Sequence, residues 1–227
     1  MKLSIIICAF NEKNTIQQVV DTVKAVDLGL IEKEIIIVDD GSTDGTRDIL
    51  KCLEDSCKVI YHEKNKGKGG AMKTGLKVAT GDMMIIQDAD LEYSPTDYPA
   101  LMKPIIDGKV DMVLGVRDVP KFGSVYQINL LGNNLITWTT NLFYGRRAKE
   151  YLGGYKVFSK RVTDAIEVKT DDFDFDTELV CKAWGRGYKS VEVPIKYNPR
   201  SYKEGKKINM KHGLIILWTT IKYRFIG

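Results

Sequence analysis

Two aspartates separated by one small residue, Asp88 and Asp90, follow the apolar run Met83-Met84-Ile85-Ile86 and the polar Gln87. If the run is a buried strand, the pair stands at its end, and residues i and i+2 of a strand share a face. Two convergent carboxylates are costly unless something positive neutralises them. A hard divalent cation shared with a substrate's phosphates answers that need. Mg²⁺ typically takes one or two protein carboxylates and fills its other positions with phosphate and water. A D-x-D triplet also occurs in plain surface turns, so its meaning comes from what surrounds it.

Periodicity outlines the elements that would position the pair. Leu3–Cys8 reads as a buried strand, followed by a helix from about Asn14 with Ile16, Val19, Val20, Val23 and Val26 at helical spacing. Glu34–Val38 is the next strand, ending in Asp39-Asp40-Gly41, and a helix capped near Ser42 or Thr43 carries Ile49, Leu50 and Leu53. A strand at Lys58–Tyr61, a helix at Gly69–Ala79, a strand at Asp82–Ile86, a helix at Pro99–Asp107 and a strand at Asp111–Val116 complete the alternation. The pattern predicts an α/β chain with a mostly parallel sheet flanked by helices. Ligands of such sheets sit at the carboxyl ends of the strands. Asn11-Glu12, Asp39-Asp40 and Asp88-Ala89-Asp90 all fall there. The second half is expected to hold helices at Val125–Tyr144, Phe173–Trp184 and His212–Phe225 and a strand at Val191–Tyr197. No linker divides the halves, which implies one domain.

Composition narrows the class. The 227 residues are 44% hydrophobic and 28% charged, with a net charge of +4, too mild an excess for a nucleic-acid partner. The excess is local: Arg200, Lys203, Lys206, Lys207, Lys211, Lys222 and Arg224 are opposed only by Glu204, which suits phosphate or anionic lipid as well as a solvated face. Cys8, Cys52, Cys57 and Cys181 lack zinc-ligand spacing, and nothing demands a disulfide. No apolar stretch approaches the ~20 residues that span a bilayer, and the chain enters a strand without a leader, so the expected location is cytoplasmic. Near-motifs fail on single positions. Gly67–Thr74 has Met72 where a P-loop needs glycine, and the loop-like run from Asp40 has Lys51 where an EF-hand needs glutamate. Neither a G-x-G-x-x-G after the first strand nor a G-x-S-x-G elbow is present.

Cys8-Ala9-Phe10-Asn11-Glu12, Val38-Asp39-Asp40-Gly41-Ser42, Asn65-Lys66-Gly67-Lys68-Gly69-Gly70-Ala71 and Asp88-Ala89-Asp90, in that order, resemble the nucleotide-sugar lobe of family-two inverting glycosyltransferases. Gly154-Tyr155-Lys156-Val157-Phe158, Phe173–Glu178, Glu192-Val193-Pro194-Ile195 and Arg200–Lys207 look like the dolichyl-phosphate or polyprenyl-phosphate sugar synthases of that family. The resemblance implies a GT-A fold, with a nucleotide-sugar lobe over residues 1–118 and an acceptor lobe over 119–227. It implies Mg²⁺ or Mn²⁺ on Asp88 and Asp90, with Glu92 completing the shell where relatives often carry glutamine. Phe10, Glu12, Val38, Asp39, Ala89 and Arg117 would join the aspartates in holding a UDP- or GDP-hexose. Arg117, Arg200, Lys206 and Lys207 would meet phosphate oxygens, and the glycines of 67–70 would let backbone approach the ligand closely.

The acceptor decides whether a base is required. A sugar or protein hydroxyl must lose a proton, and Asp176 and Glu178 stand where hydroxyl-transferring relatives place a catalytic acid. The same acids also suit an ordinary helix start. A phosphomonoester is largely dianionic at neutral pH and can attack unaided. The basic, amphipathic C-terminal third favours a polyprenyl phosphate acceptor and peripheral contact with a membrane. Trp138, Leu142 and Phe143 on one helix and Ile215, Ile216, Leu217, Trp218 and Ile221 on another are candidates for the headgroup region, or for packing on the sheet. The rival readings are transfer to a hydroxyl with Asp176 or Glu178 as base, a nucleotidyltransferase, and a nucleotide-sugar-binding protein without activity.

Overall fold

A computed structural model describes residues 1–117, 124–198 and 210–226; for 124–131 and 210–211 only the backbone is described. Its centre is β1 (Lys2–Ala9), in which Leu3, Ile5, Ile6 and Ile7 are wholly buried. Ile5 and Ile7 join one apolar cluster and Ile6 the other, because alternate side chains enter opposite layers. A strand covered on both faces must be apolar throughout, which is why these strands read as runs rather than alternations.

The first half alternates as expected: α1 (Ile16–Ala25), β2 (Glu32–Asp39), α2 (Thr46–Lys51), β3 (Lys58–Tyr61), α3 (Lys68–Val78), β4 (Met83–Asp88), α4 (Tyr98–Ile106) and β5 (Met112–Arg117). Then come α5 (Ser124–Tyr144), β6 (Lys156–Ser159), α6 (Lys160–Ala165), α7 (Phe175–Gly185), β7 (Ser190–Ile195) and α8 (Met210–Ile226). The seven strands form one sheet in the order β3-β2-β1-β4-β6-β5-β7. All pairings are parallel except those of β6, which runs against both β4 and β5.

Neither β6 nor α6 is foreseen by periodicity. The reversal of β6 matters for function, because its beginning arrives at the edge where the other strands end. Gly115 N donates to Tyr155 O at 2.8 Å, and Leu114 stands opposite Lys156. Chain order reverses across β1 and β4, so the switch point of the sheet lies between them. There Cys8 is in register with Asp88, and Ala9 with Asp39.

The start of α2 departs from expectation. Ser42 Oγ accepts from Asn11 N at 2.9 Å, and Thr43 N donates to Asn11 Oδ1 at 2.9 Å. Both residues are taken up by the turn beside β1, and the helix begins only after Gly45, which has a φ of 100°.

Candidate active site at the carboxyl edge of the sheet

Asp88 ends β4 with one oxygen occupied: Lys68 Nζ donates to Oδ1 at 2.6 Å. Burial works against the Lys68 charge, but Asp88 and then Asp176 outweigh it and push its pKa above the ordinary lysine value. Behind the carboxylate, Gln87 is buried and accepts from both Tyr98 Oη and Tyr155 Oη at 2.6 Å, while its amide donates to Asp88 O at 2.8 Å. The backbone at the strand end is therefore fixed from below. Asp90 lies beyond the strand in a turn that continues through Leu91 at φ 62°, so strand alternation does not orient it. Its Oδ1 accepts from Glu92 N at 3.1 Å.

Glu92 Oε2 accepts from Tyr197 Oη at 3.0 Å. Among the described residues, no group of three or more Asp, Glu, His or Cys side chains is gathered closely enough to hold a metal ion. A three-carboxylate shell of Asp88, Asp90 and Glu92 is not assembled. The donor set still fits Mg²⁺ or Mn²⁺ in the two-carboxylate mode, with diphosphate oxygens supplying the rest. One feature of this chain agrees with that fit: Lys68 takes only Oδ1 of Asp88, and a Cβ on Gly154 would stand 2.9 Å from Oδ2, so glycine there keeps the second oxygen uncrowded by residue 154.

Other expected contacts are engaged internally. Asp39 is wholly buried and accepts from Arg47 Nε at 2.7 Å, from Ser42 N at 3.2 Å and from Gly41 N at 3.3 Å. Val38 and Ala89 are buried in the two apolar clusters. Glu12 accepts from Thr15 Oγ1 at 2.9 Å, and its carbonyl receives the first amides of α1. Phe10 is half-buried just past β1. Arg117 Nε donates to Glu150 Oε1 at 2.8 Å, and its guanidinium lies 5.1 Å from the Tyr197 ring centroid. Arg200, Lys206 and Lys207 lie outside the described residues.

The glycine-rich segment turns toward protein rather than solvent. Cβ atoms on Gly67 and Gly69 would meet backbone of residues 170–172 at 2.4 and 2.7 Å, and Gly70 N donates to Asp171 O at 3.2 Å. These glycines let two parts of the chain close on each other. Beneath them, the buried His62 bridges Asp40 Oδ1 at 2.8 Å and Thr74 Oγ1 at 2.9 Å, and Asp40 also accepts from Lys66 N at 2.9 Å. The segment that delivers Lys68 is thus anchored to the end of β2.

The two acids of α7 have different surroundings. Glu178 is wholly buried and accepts from Lys169 N at 3.0 Å, Thr170 N at 2.9 Å and the Lys182 ammonium. Burial raises its pKa, but those hydrogen bonds override it and hold the carboxyl below the ordinary value. That environment makes it a brace for residues 169–170 rather than a group open to an acceptor. Asp176 keeps 27% of its side chain exposed and accepts from Lys156 Nζ at 2.5 Å. Lys68 and Lys156 are the site cations that motif reading passes over.

A model of "Glycosyl transferase family 2" matches residues 4–166, well over half of the chain. The chain belongs to that family. Its seven-stranded sheet has the GT-A fold of solved glycosyltransferases. Glucosyl-3-phosphoglycerate synthase of Mycobacterium tuberculosis, crystallised with Mn²⁺, UDP and glucosyl-3-phosphoglycerate, superposes with a TM-score of 0.77 at 20% identity, covering 100% of this chain and 81% of that one. In sequence, a dolichol-phosphate mannosyltransferase of Pyrococcus furiosus is 31% identical over 91% of this chain and 59% of its own length. The glycosyltransferase AglJ of Haloferax volcanii is 28% identical over 84% of this chain and 61% of its own. The chain therefore spans about three-fifths of these two relatives. It spans 91% of a Methanocaldococcus jannaschii protein that is 30% identical over 97% of this chain.

Proposed function

We propose that this family-two glycosyltransferase transfers one hexose, with inversion, from a UDP- or GDP-sugar to a polyprenyl phosphate. In this reading residues 1–118 form the nucleotide-sugar lobe and 119–227 the acceptor lobe. The observation that carries it is the paired charge at the switch point, where Asp88 ends β4 against Lys68 and beside Gly154. Asp88 and Asp90 would hold Mg²⁺ or Mn²⁺ on the donor diphosphate, where a divalent ion stabilises the charge of the leaving group. The chain's own part is to fix Asp88 through Gln87, to present Lys68 to phosphate oxygens, and to exclude other groups from the space above Gly154. Complexes of the mycobacterial enzyme with Mn²⁺ and UDP or UDP-glucose support this assignment by analogy of fold.

Three features support the phosphate acceptor. The Pyrococcus relative is named for dolichol phosphate. The Asp176 carboxylate is tied to a buried ammonium, and Arg117 stands at the same sheet edge at the end of β5. The packed helices α5 and α8 also expose Leu135, Leu142, Leu214 and Ile215, together with Trp138 at 63% and Trp218 at 64%. No helix among the described residues is long and apolar enough to cross a membrane. The exposed tryptophans, with Lys222 and Arg224 on α8, are suited to a headgroup layer, so we assign this face to peripheral membrane contact.

The test is a calorimetric screen of UDP- and GDP-hexoses with and without Mn²⁺, followed by turnover on farnesyl phosphate, a sugar alcohol and 3-phosphoglycerate. Metal-dependent donor binding with turnover only on farnesyl phosphate is expected. Turnover confined to a hydroxyl acceptor would transfer the reading to the rival with Asp176 as base.

A further inference from the structure

Lys156 opens β6 at the carboxyl edge and is 1% exposed, with its ammonium donating to Gly153 O at 2.6 Å and Asp176 Oδ2 at 2.5 Å. A buried ammonium is costly unless its partners are well placed, and here both partners come from the wall of the site. Asp176 in turn acts on Lys68, which binds Asp88. The four side chains form two ion pairs, the deeply buried Lys156 on Asp176 and the part-buried Lys68 on Asp88. Of the two acids early in α7, Asp176 is the one left open, and its charge is met from behind by Lys156.

Resting on the phosphate-acceptor reading above, we propose that Lys156 is a positioning residue for acceptor class. Acting through Asp176, it neutralises the carboxylate beside which a dianionic phosphate must approach the sugar. A phosphomonoester is largely dianionic at neutral pH, and an uncompensated carboxylate at close range in a partly dry site repels it strongly. A neutral hydroxyl meets no such repulsion, so this lysine discriminates by charge and not by shape.

The experiment compares wild type with Lys156→Met, Asp176→Asn and the double variant, using farnesyl phosphate as acceptor. Donor affinity is measured by calorimetry, and inorganic phosphate serves as a competitor of the acceptor. Lys156→Met should raise the acceptor KM at least about tenfold, more at low ionic strength, while the donor Kd stays within about twofold. Inhibition by inorganic phosphate should weaken in parallel. The double variant, which removes both charges, should return the acceptor KM to within about threefold of wild type. Asp176→Asn alone should leave the acceptor KM unchanged or lower, an outcome that holds even if Lys156→Met does not fold. An acceptor KM that is unmoved in Lys156→Met, that rises in step with the donor Kd, that fails to recover in the double variant, or that rises in Asp176→Asn overturns the proposal. Wild type inert on farnesyl phosphate but active on a hydroxyl acceptor would overturn the acceptor assignment itself, and this inference with it.

Discussion

Gly154 packs against both Tyr93 and Asp88, and replacing it by alanine tests whether the space beside Asp88 is functional. The added Cβ would lie 2.6 Å from Tyr93 Cε2, 3.1 Å from Tyr93 Cζ and 2.9 Å from Asp88 Oδ2. The Gly154 φ is not in the left-handed region, so the penalty is steric. Tyr93 has little freedom to yield. Its ring is stacked 5.0 Å from that of Tyr155 and 5.2 Å from that of Tyr197, and its hydroxyl accepts from Gly154 N at 2.9 Å. Overpacking of this kind costs ~1–3 kcal/mol, and a domain of this size loses ~2–4 °C in Tm per kcal/mol. Gly154→Ala should therefore lower Tm by roughly 2–12 °C. It should also weaken metal-dependent donor binding at least about tenfold, because the Asp88 carboxylate must turn from its present position. Gly213→Ala in α8 is the control: nothing lies within 4 Å of its added Cβ, and a helical alanine gains ~1 kcal/mol over glycine. Scanning calorimetry and titration with nucleotide sugar and Mn²⁺ read both effects. Wild-type Tm and donor affinity in Gly154→Ala would refute the reasoning.

Asp88→Asn, or wild type in excess chelator, should lose turnover while keeping its unfolding transition; full activity in either would remove the metal from the proposal. With a phosphate acceptor, Asp176→Asn should lower kcat by less than about tenfold, whereas loss of a general base costs ~10²–10⁴. Glu178→Gln should act on stability, since stranding Lys182 by removing its buried partner costs ~3–5 kcal/mol; Asp176→Asn strands the buried Lys156 and should also lower the melting temperature, so kcat is measured on the folded fraction of each. Glu34 and Glu178 both have carboxyls held below the ordinary value near 4.5: burial opposes this, but hydrogen bonds from Ser4 and Thr80, and from Lys182, Thr170 and Lys169, outweigh it. Their stabilisation is complete above that value and is lost as pH falls through the lower folded values, so urea midpoints should drop below about pH 4.5 and drop less in Glu34→Gln. Sedimentation with anionic vesicles should recover the protein at low salt and fail at high salt, and Trp138→Ser with Trp218→Ser should abolish recovery; vesicle binding unaffected by either change would assign that face to another role.

The first half of the fold is readable because its central strands are buried on both faces and its helices on one. Met83–Ile86 and Leu3–Cys8 carry that signature within single short windows. The strand β6 is not readable this way: four residues headed by a lysine show no period, and the partners that make it a strand, Met83–Ile85 and Met112–Leu114, lie far away in sequence. On α5 the apolar spacing misleads. Ile136, Thr137, Thr139 and Thr140 turn inward, while Leu135, Trp138 and Leu142 are exposed. Thr140 Oγ1 lies within hydrogen-bonding reach of Ile136 O and Tyr151 Oη, so its hydroxyl can be buried without cost, a property that a hydrophobicity count cannot register.

In the candidate site, the acids are conspicuous in sequence and the cations are not. Asp88 and Asp90 stand out because a carboxylate pair after an apolar run has few structural uses. Lys68 and Lys156 do not, because a lysine is ordinarily a solvated surface charge. One signal was available for Lys156: it sits inside Tyr155-Lys156-Val157-Phe158, where Tyr155, Val157 and Phe158 are core residues, so a strand through that segment had to bury an ammonium. A buried ammonium requires an anionic partner, which Asp176 at the start of α7 supplies. The glycines were ambiguous for the opposite reason. The glycines of 67–70 imply a close approach to a ligand by sequence, whereas at Gly67 and Gly69 it is the backbone of residues 170–172 that fills the place. The same contact places the acids of α7 beside the loop that carries Lys68. The proposed donor and acceptor lobes therefore meet at a shared wall in which each partly exposed carboxylate, Asp88 and Asp176, has its own lysine partner, so the two affinities can be changed separately.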